Sequence, residues 1–145
     1  MDGKYWDVVK VKNWMDSKTV VPGDATIQQV AELMANKNIG SVLVSIDEKV
    51  AGIITESDIL EKVVAKGLDP ATVTASQIMT TPLVKIDEDS SLEEAASLMH
   101  AYNIRRLPVI NKEEEITGVI DARTICYALP IVSEAIFRSI RIERG

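Results

Sequence analysis

The segment Gly52-Ile-Ile-Thr-Glu-Ser-Asp58 places a hydroxyl and a carboxylate three residues apart, directly after two apolar residues. This pattern predicts a strand that ends near Thr55 and a helix that follows it. The N–H groups at a helix N-terminus suit a phosphate, and the Thr55 hydroxyl adds a donor. The Asp58 carboxylate can accept hydrogen bonds from both hydroxyls of a ribose. A structural role is the alternative, in which Thr55 or Ser57 caps the helix and Asp58 favours its positive end.

Two adjacent arginines, Arg105 and Arg106, precede the apolar run Leu107-Pro-Val-Ile110. Guanidinium groups are poor choices for a strand that is covered on both faces. They require an anion, an acidic partner or solvent. A phosphate and a surface ion pair with the abundant Asp and Glu side chains both meet this requirement.

A second segment, Gly118-Val-Ile-Asp-Ala-Arg-Thr124, repeats the first with its polar residues exchanged. Asp121 stands where the first copy has Thr55, and Thr124 stands where it has Asp58. A carboxylate at this turn repels a phosphate. We therefore expect one competent anion site per chain, in the first copy, and a second site that is empty, weak or altered in specificity.

Both segments belong to an internal repeat with a period of about 65 residues. Val21–Met34 returns as Ile86–Met99, and Asn38-Ile39 returns as Asn103-Ile104. Each copy reads as strand, helix, strand, strand, helix, with the clearest helix at 26–37 in the first copy. The predicted organisation has five parts: a lead-in at 1–15, repeat 1 at 16–67, a connector at 68–77, repeat 2 at 78–129 and a C-terminal amphipathic helix at 130–145.

Composition narrows the function classes. Hydrophobic residues make up 46% of the 145 residues and aromatic residues only 4%, so an aliphatic core is expected. A net charge of −6 argues against nucleic acid as the partner. One histidine and one cysteine supply neither a zinc cluster nor a nucleophile–base pair, so we expect no enzyme. No long apolar run and no signal-peptide core are visible, which predicts a cytoplasmic protein without a membrane partner.

In this repeated order, the motifs resemble a CBS-domain pair, also called a Bateman module, over about residues 10–128. The resemblance is carried by four motifs: Trp14-Met15-Asp16 with Ile78-Met79-Thr80, the two Asn-Ile helix ends, Arg105-Arg-Leu-Pro-Val109 and Gly52–Asp58. It implies an α/β fold of two β-α-β-β-α repeats packed about a pseudo-two-fold axis, with a ligand cleft for each repeat.

The resemblance also implies a ligand and its contacts. In similar modules an adenosyl compound such as AMP, ADP, ATP or S-adenosylmethionine occupies the cleft as a regulatory ligand, and no cofactor is required. By position, Thr19, Val20, Val21 and Ile39 would contact the adenine. Thr55 and Asp58 would hold the ribose and phosphate, and Arg105 and Arg106 would reach the phosphate from the other repeat. Removal of Asp58 is expected to weaken binding with little loss of folding.

Two functions remain open on these grounds. The first is a stand-alone regulatory module that forms a homodimer and signals a bound ligand to an unidentified protein through its dimer geometry. The alternative is a ligand-independent interaction or dimerisation scaffold, which the altered second copy and the amphipathic C-terminal segment favour.

Overall fold

The computed structural model describes residues 7–144, with side chains described through Arg138. Residues 1–6 of the predicted lead-in and residue 145 of the predicted tail lie outside the described residues. The chain forms two compact units. The first unit is Lys18–Leu83, and the second unit combines Val84–Gly145 with Met1–Ser17.

The first unit contains a three-stranded sheet with the order β1-β2-β3. Strand β1 pairs parallel to β2, and β2 pairs antiparallel to β3. The strands are β1 Val20–Pro22, β2 Ser41–Ile46 and β3 Lys49–Thr55. The helices are α1 Ile27–Lys37, α2 Glu56–Ile59, which continues as a π-helical turn over Leu60–Val64, and α3 Ala75–Ile78.

The second unit repeats this topology, with a sheet of order β4-β5-β6 and the same parallel and antiparallel pairings. Its strands are β4 Ile86–Asp87, β5 Arg106–Ile110 and β6 Ile116–Asp121. Its helices are α4 Leu92–Tyr102 and α5 Ala122–Arg144, and a short 3-10 turn covers Val11–Asn13. The duplicated α/β fold predicted from the sequence is therefore confirmed.

Local capping explains where the two equivalent helices, α1 and α4, begin and end. The hydroxyl of Thr26 accepts from the Gln29 N–H at 3.1 Å, and the Gln29 side chain accepts from the Thr26 N–H at 3.0 Å. Together these two hydrogen bonds form a capping box at the start of the helix predicted at 26–37. Ser91 caps α4 in the same way, accepting from the Glu94 N–H at 3.0 Å. Asn38 and Asn103 adopt left-handed conformations and end the two helices.

Each unit has an aliphatic core, and most members of the first core have a counterpart in the second. In the first unit the buried residues are Val21, Ile27, Val30, Met34, Val42, Val44, Ile54, Val63, Ala75 and Ile78. In the second unit they are Val11, Ile86, Leu92, Ala95, Met99, Leu107, Val109, Ile120, Ile125, Ala128 and Val132. These side chains supply the burial that stabilises each three-stranded sheet against its helices.

The segment that leads into each repeat packs in the unit of the other repeat. In the second unit, Asp16 pairs with Val119 and the side chain of Val11 is fully buried. In the first unit, Thr80 pairs with Ile53, and Ala75 and Ile78 enter the core. The structure thus groups the predicted connector, and the start of predicted repeat 2, with the first sheet, because their apolar residues complete that core.

Two glycines, Gly52 and Gly118, leave room for the lead-in segments to pack in this way. A Cβ atom on Gly52 would lie 2.6 Å from the Met79 sulfur, and one on Gly118 would lie 2.5 Å from the Asp16 carbonyl oxygen. Each lead-in segment therefore passes against the strand at a position where a side chain would block it. The recurrence of glycine in the two copies has this close approach as its physical reason.

Exposed charges also hold the lead-in segment to the second unit. The Lys12 ammonium lies 3.1 Å from the Asp89 carboxylate, and this hydrogen bond holds the pKa of Asp89 below its ordinary value. Lys10 lies 3.0 Å from Asp7 and 3.7 Å from Asp89, and the hydrogen bond with Asp7 raises the pKa of Lys10. All three pairs are accessible to solvent and add little to stability at moderate salt.

Pro108 and Pro130 have different effects on the backbone of the second unit. Leu43 donates to the Thr19 carbonyl at 2.8 Å, whereas Pro108, its counterpart in the repeat, has no N–H to donate. Strand β4 correspondingly pairs with β5 only at Val109 and Ile110. The sequence predicts a separate C-terminal helix that begins at residue 130, whereas in the structure one helix, α5, runs continuously through Pro130. Buried Val132, beyond the proline, packs in the core of the second unit and favours continuation of the helix.

Among the described residues, no helix combines the length and the apolar character needed to cross a membrane.

Candidate functional site

The turn from β3 into α2 lies at one end of the first sheet. Thr55 is the last residue of β3 and pairs with Ser41, the first residue of β2. The Glu56 N–H donates to the Gly40 carbonyl at 3.2 Å, which ties the start of α2 to the loop before β2. The strand register therefore brings the end of β3 and the start of β2 together.

Asp58 is buried with only 8% of its surface exposed, and it is the one buried charged residue in the described part of the chain. Its Oδ2 accepts from the Thr55 N–H at 2.9 Å and from the Thr55 hydroxyl at 3.2 Å. The Asp58 N–H in turn donates to the Thr55 hydroxyl at 3.3 Å. Thr55 and Asp58 therefore form a capping box, which is the structural role that the sequence left open.

The other carboxylate oxygen of Asp58 has partners that are farther away along the chain. Oδ1 accepts from the Thr80 hydroxyl at 3.2 Å and lies 3.0 Å from the Lys62 ammonium. Lys62 also donates to the Ile78 carbonyl at 2.8 Å and to the Thr80 hydroxyl at 3.3 Å. Its ammonium group therefore has three partners and offsets the cost of burying the Asp58 charge.

Sequence reasoning missed Lys62 and Thr80 as members of this site. Lys62 lies four residues after Asp58, a spacing at which opposite charges meet on a helix, so the sequence does contain a signal for it. Thr80 reaches the site only because its backbone pairs with Ile53 in β3. The network also changes the expectation for Asp58 removal, because loss of this carboxylate takes away contacts that support the fold.

The four residues predicted to contact adenine lie in the first unit, with different exposure. Val20 is exposed on β1, and its neighbour Val21 is buried in the core. Thr19 and Ile39 are half-buried, immediately before β1 and β2. Because β1 runs parallel to β2, Thr19, Val20 and Ile39 lie at the end of the sheet where β3 finishes at Thr55. Val21 instead supports the core.

Arg106 lies in the second unit, and its Nε atom lies 2.9 Å from Oδ2 of Asp121, directly across from it in the sheet. Asp121 also accepts from the Arg123 N–H at 2.7 Å, so it caps the start of α5. Arg106 thus has an acidic ion-pair partner in its own repeat, which matches the ion-pair alternative predicted from the sequence. The side chains of Arg106 and Asp121 are 16% and 26% exposed. Arg105 is exposed, and its carbonyl accepts from the Ala122 N–H at 2.8 Å. Association of either arginine with a ligand at Thr55 and Asp58 stays a prediction.

The second unit carries the polar residues in inverted order. Asp121 and Thr124 occupy the places of Thr55 and Asp58, and Ala128 occupies the place of Lys62. Asp16 pairs with Val119 as Thr80 pairs with Ile53, so an acid also replaces the threonine of the lead-in segment. The second unit therefore does not reproduce the Asp58 network.

Metal chemistry finds no support in the described residues, where no group of three His, Cys, Asp or Glu side chains could hold an ion. Cys126 is exposed and has no disulfide partner. At the first unit, the buried and oriented Asp58 carboxylate and the neighbouring hydroxyl and ammonium groups can form hydrogen bonds with a ligand.

Comparisons with known proteins agree with this architecture. The model for the CBS domain family matches residues 11–65 and 75–131. An uncharacterized protein from Methanopyrus kandleri is 36% identical over 106 residues, which cover 72% of this chain and 54% of that protein. Hypoxic response protein 1 from Mycobacterium tuberculosis is 31% identical over 113 residues, covering 77% of this chain and 78% of that protein.

A solved structure extends the likeness to the fold. The hexameric CBS-CP12 protein from bloom-forming cyanobacteria superimposes with a TM-score of 0.76 and 30% identity, covering 81% of this chain and 66% of that chain. The chain thus spans about half the length of the Methanopyrus relative and just under two thirds of the cyanobacterial protein. With two matched repeats, each folded around its own sheet, the chain belongs to the CBS domain family.

Proposed function

We propose that this chain is a regulatory CBS-pair module that binds an adenosyl ligand, such as AMP, ADP, ATP or S-adenosylmethionine, at the first unit. The observation that carries the proposal is the buried Asp58 carboxylate, oriented by Thr55 where β3 turns into α2. A ribose diol is a natural partner for an oriented carboxylate. Val20 and Ile39, at the same end of the sheet, supply apolar surface for a base.

The proposed mechanism is a shift between conformations. A ligand that binds one arrangement of the module better than another moves the population toward that arrangement, and a partner protein reads the change. The proposed assembly is a homodimer. The second unit is not expected to bind a second ligand equally, since Asp121 is already committed to Arg106 and to the start of α5.

Isothermal titration calorimetry with AMP, ADP, ATP and S-adenosylmethionine, and with GMP as a comparison ligand, tests this proposal. We expect one site per chain for an adenosyl compound. Asp58→Asn should weaken binding, whereas Glu61→Gln, a substitution at an exposed neighbouring acid, should leave it unchanged. Two equal sites per chain would contradict the assignment to the first unit, and absence of binding by every adenosyl compound would overturn the proposal.

A ligand-independent dimerisation scaffold is the second candidate, and the apolar surface of α5 favours it. Tyr127 is 72% exposed, Ile131 57% and Leu129 50%, although all three lie on a helix that also packs in a core. Exposed apolar surface of this kind is typical of a protein interface. A thermal-shift screen separates the candidates, because ligand at 100 times its Kd should add about 2.7 kcal/mol of apparent stability. Tight dimerisation without any such shift would favour the scaffold.

A further inference from the structure

The two oxygens of the Asp58 carboxylate are held by different kinds of partner. Oδ2 is bound by Thr55 through a backbone N–H and a hydroxyl, three residues away. This contact belongs to the turn itself and persists as long as α2 begins at Glu56. Within the described part of the chain, Oδ1 is bound by side chains alone, the Thr80 hydroxyl and the Lys62 ammonium. One oxygen is thus fixed by the backbone, and the other is held by groups that can rotate away.

Solvent exposure also distinguishes the partners of Oδ1 from those of Oδ2. The Asp58 side chain is 11% exposed, whereas that of Lys62 is 39% exposed, and Thr80 is an exposed residue. Both partners of Oδ1 can therefore turn toward water and keep hydrogen bonds there. Oδ1 itself would be costly to leave unpaired, so it must accept hydrogen bonds from the ligand in their place. The Thr55 N–H has no such freedom, because it is part of β3.

We propose that Lys62 and Thr80 form a latch on Oδ1 of Asp58, which the neighbouring hydroxyls of a ribose must open in order to bind. This inference rests on the proposed function, and it adds the way in which the ligand-free site is held closed. In the closed state Oδ1 carries the Lys62 and Thr80 contacts, and a diol replaces them with its own hydroxyl donors. The apparent affinity for the ligand is reduced by the small fraction of open sites.

The latch also connects the site to the segment that leaves the first unit. Lys62 binds the Ile78 carbonyl, and the Thr80 backbone is paired with Ile53 at 2.8 and 3.1 Å. Opening the latch moves the Lys62 ammonium and loosens its hold on Ile78, while the backbone pairing of Thr80 remains. Ligand binding thereby acts on residues 78–80, close to the end of the first unit at Leu83.

The test compares ligand affinities in three variants. Lys62→Met and Thr80→Val each remove one member of the latch, and Lys66→Met removes an exposed lysine from the turn that follows the same helical segment. The probe is adenosine, which carries the diol without a phosphate, so that loss of a lysine charge does not itself change its attraction. We expect Lys62→Met and Thr80→Val to bind adenosine about five- to tenfold more tightly than the wild type, with Lys66→Met unchanged. Binding of 2′,3′-dideoxyadenosine, which lacks the diol, should be unaffected by all three.

Each outcome decides between the latch and the function. If the wild type binds adenosine and the latch variants bind it no better, the latch is overturned and the proposed function stands. If adenosine binds neither the wild type nor the variants, the latch fails, and calorimetry with AMP, ADP, ATP and S-adenosylmethionine decides the proposed function separately. Hydrogen exchange of the wild type covers the case in which a variant does not fold. Adenosine should speed exchange of the Met79 amide, which shares a peptide unit with the Ile78 carbonyl that Lys62 binds, and should leave the Thr80 amide unchanged, because its pairing with Ile53 remains. Unchanged exchange of Met79 with adenosine bound would refute the latch.

Discussion

Replacing Asp58 with alanine should destabilise the first unit, even without ligand. The substitution removes the acceptor for the Thr55 N–H and hydroxyl, and it leaves the Lys62 ammonium without its carboxylate. A hydrogen bond to a charged group contributes about 1.5–3 kcal/mol, and an orphaned buried donor costs about 1–3 kcal/mol. Lys62 is 39% exposed and regains water, so its share is small. We expect a loss of about 2–3 kcal/mol.

Urea unfolding followed by circular dichroism measures this loss directly. Glu61→Ala is the matched control, because Glu61 is an exposed acid on the same helical segment. Its effect should stay within about 0.5 kcal/mol, the usual range for surface positions. Asp58→Asn keeps an acceptor oxygen and should lose about half as much as Asp58→Ala. If Asp58→Ala is as stable as the Glu61→Ala control, the capping box and the Lys62 contact do not support the fold as described.

Three further predictions concern the lead-in segments. Val11→Ala should cost about 2 kcal/mol in urea unfolding, because Val11 is fully buried in the second core, and a smaller loss than for an exposed valine would place it outside that core. Gly118→Ala should destabilise more than Gly52→Ala, since the added Cβ meets the Asp16 backbone in the first case and mainly the Met79 side chain in the second, and the reverse order of melting temperatures would contradict this packing. Because its pKa is lowered in the folded protein, ionised Asp89 stabilises the fold above its ordinary pKa of about 4, and this stabilisation is lost as the pH falls further. Asp89→Asn should therefore flatten the acid limb of a plot of unfolding free energy against pH. An unchanged limb would show that the Lys12 contact is absent in solution.

Local patterns were sufficient to predict most elements of the two units. Helix α1 begins after Thr26 because its hydroxyl and the Gln29 side chain satisfy free N–H groups, and the two residues lie only three positions apart in the sequence. The strand that ends at Thr55 follows from apolar residues before a capping residue. At Pro130 the same reasoning failed, because packing of Val132 beyond the proline is a tertiary contact that outweighs the local cost of a proline within a helix.

The candidate site also has one part that the local sequence predicts and another part that depends on the tertiary fold. The pair Thr55 and Asp58 could be predicted from spacing alone, since a capping box joins residues three apart. Thr80 could not, because it lies 22 residues from Asp58 and arrives there through its pairing with Ile53. The partner of Arg106 depends on the register of β5 against β6, which places Asp121 opposite it.

The amino-acid sequence by itself determined the duplicated strand–helix pattern, its caps and the oriented hydroxyl–carboxylate pair, because these depend on neighbours within about one helical turn. Only the tertiary structure decided which sheet each lead-in segment joins and which groups neutralise Asp58. Those outcomes depend on close approach at Gly52 and Gly118 and on the burial of Val11, Ala75 and Ile78. Such contacts join residues that are distant in sequence. A local pattern shows that a residue will be buried but not against which segment, because the hydrophobic effect is non-directional.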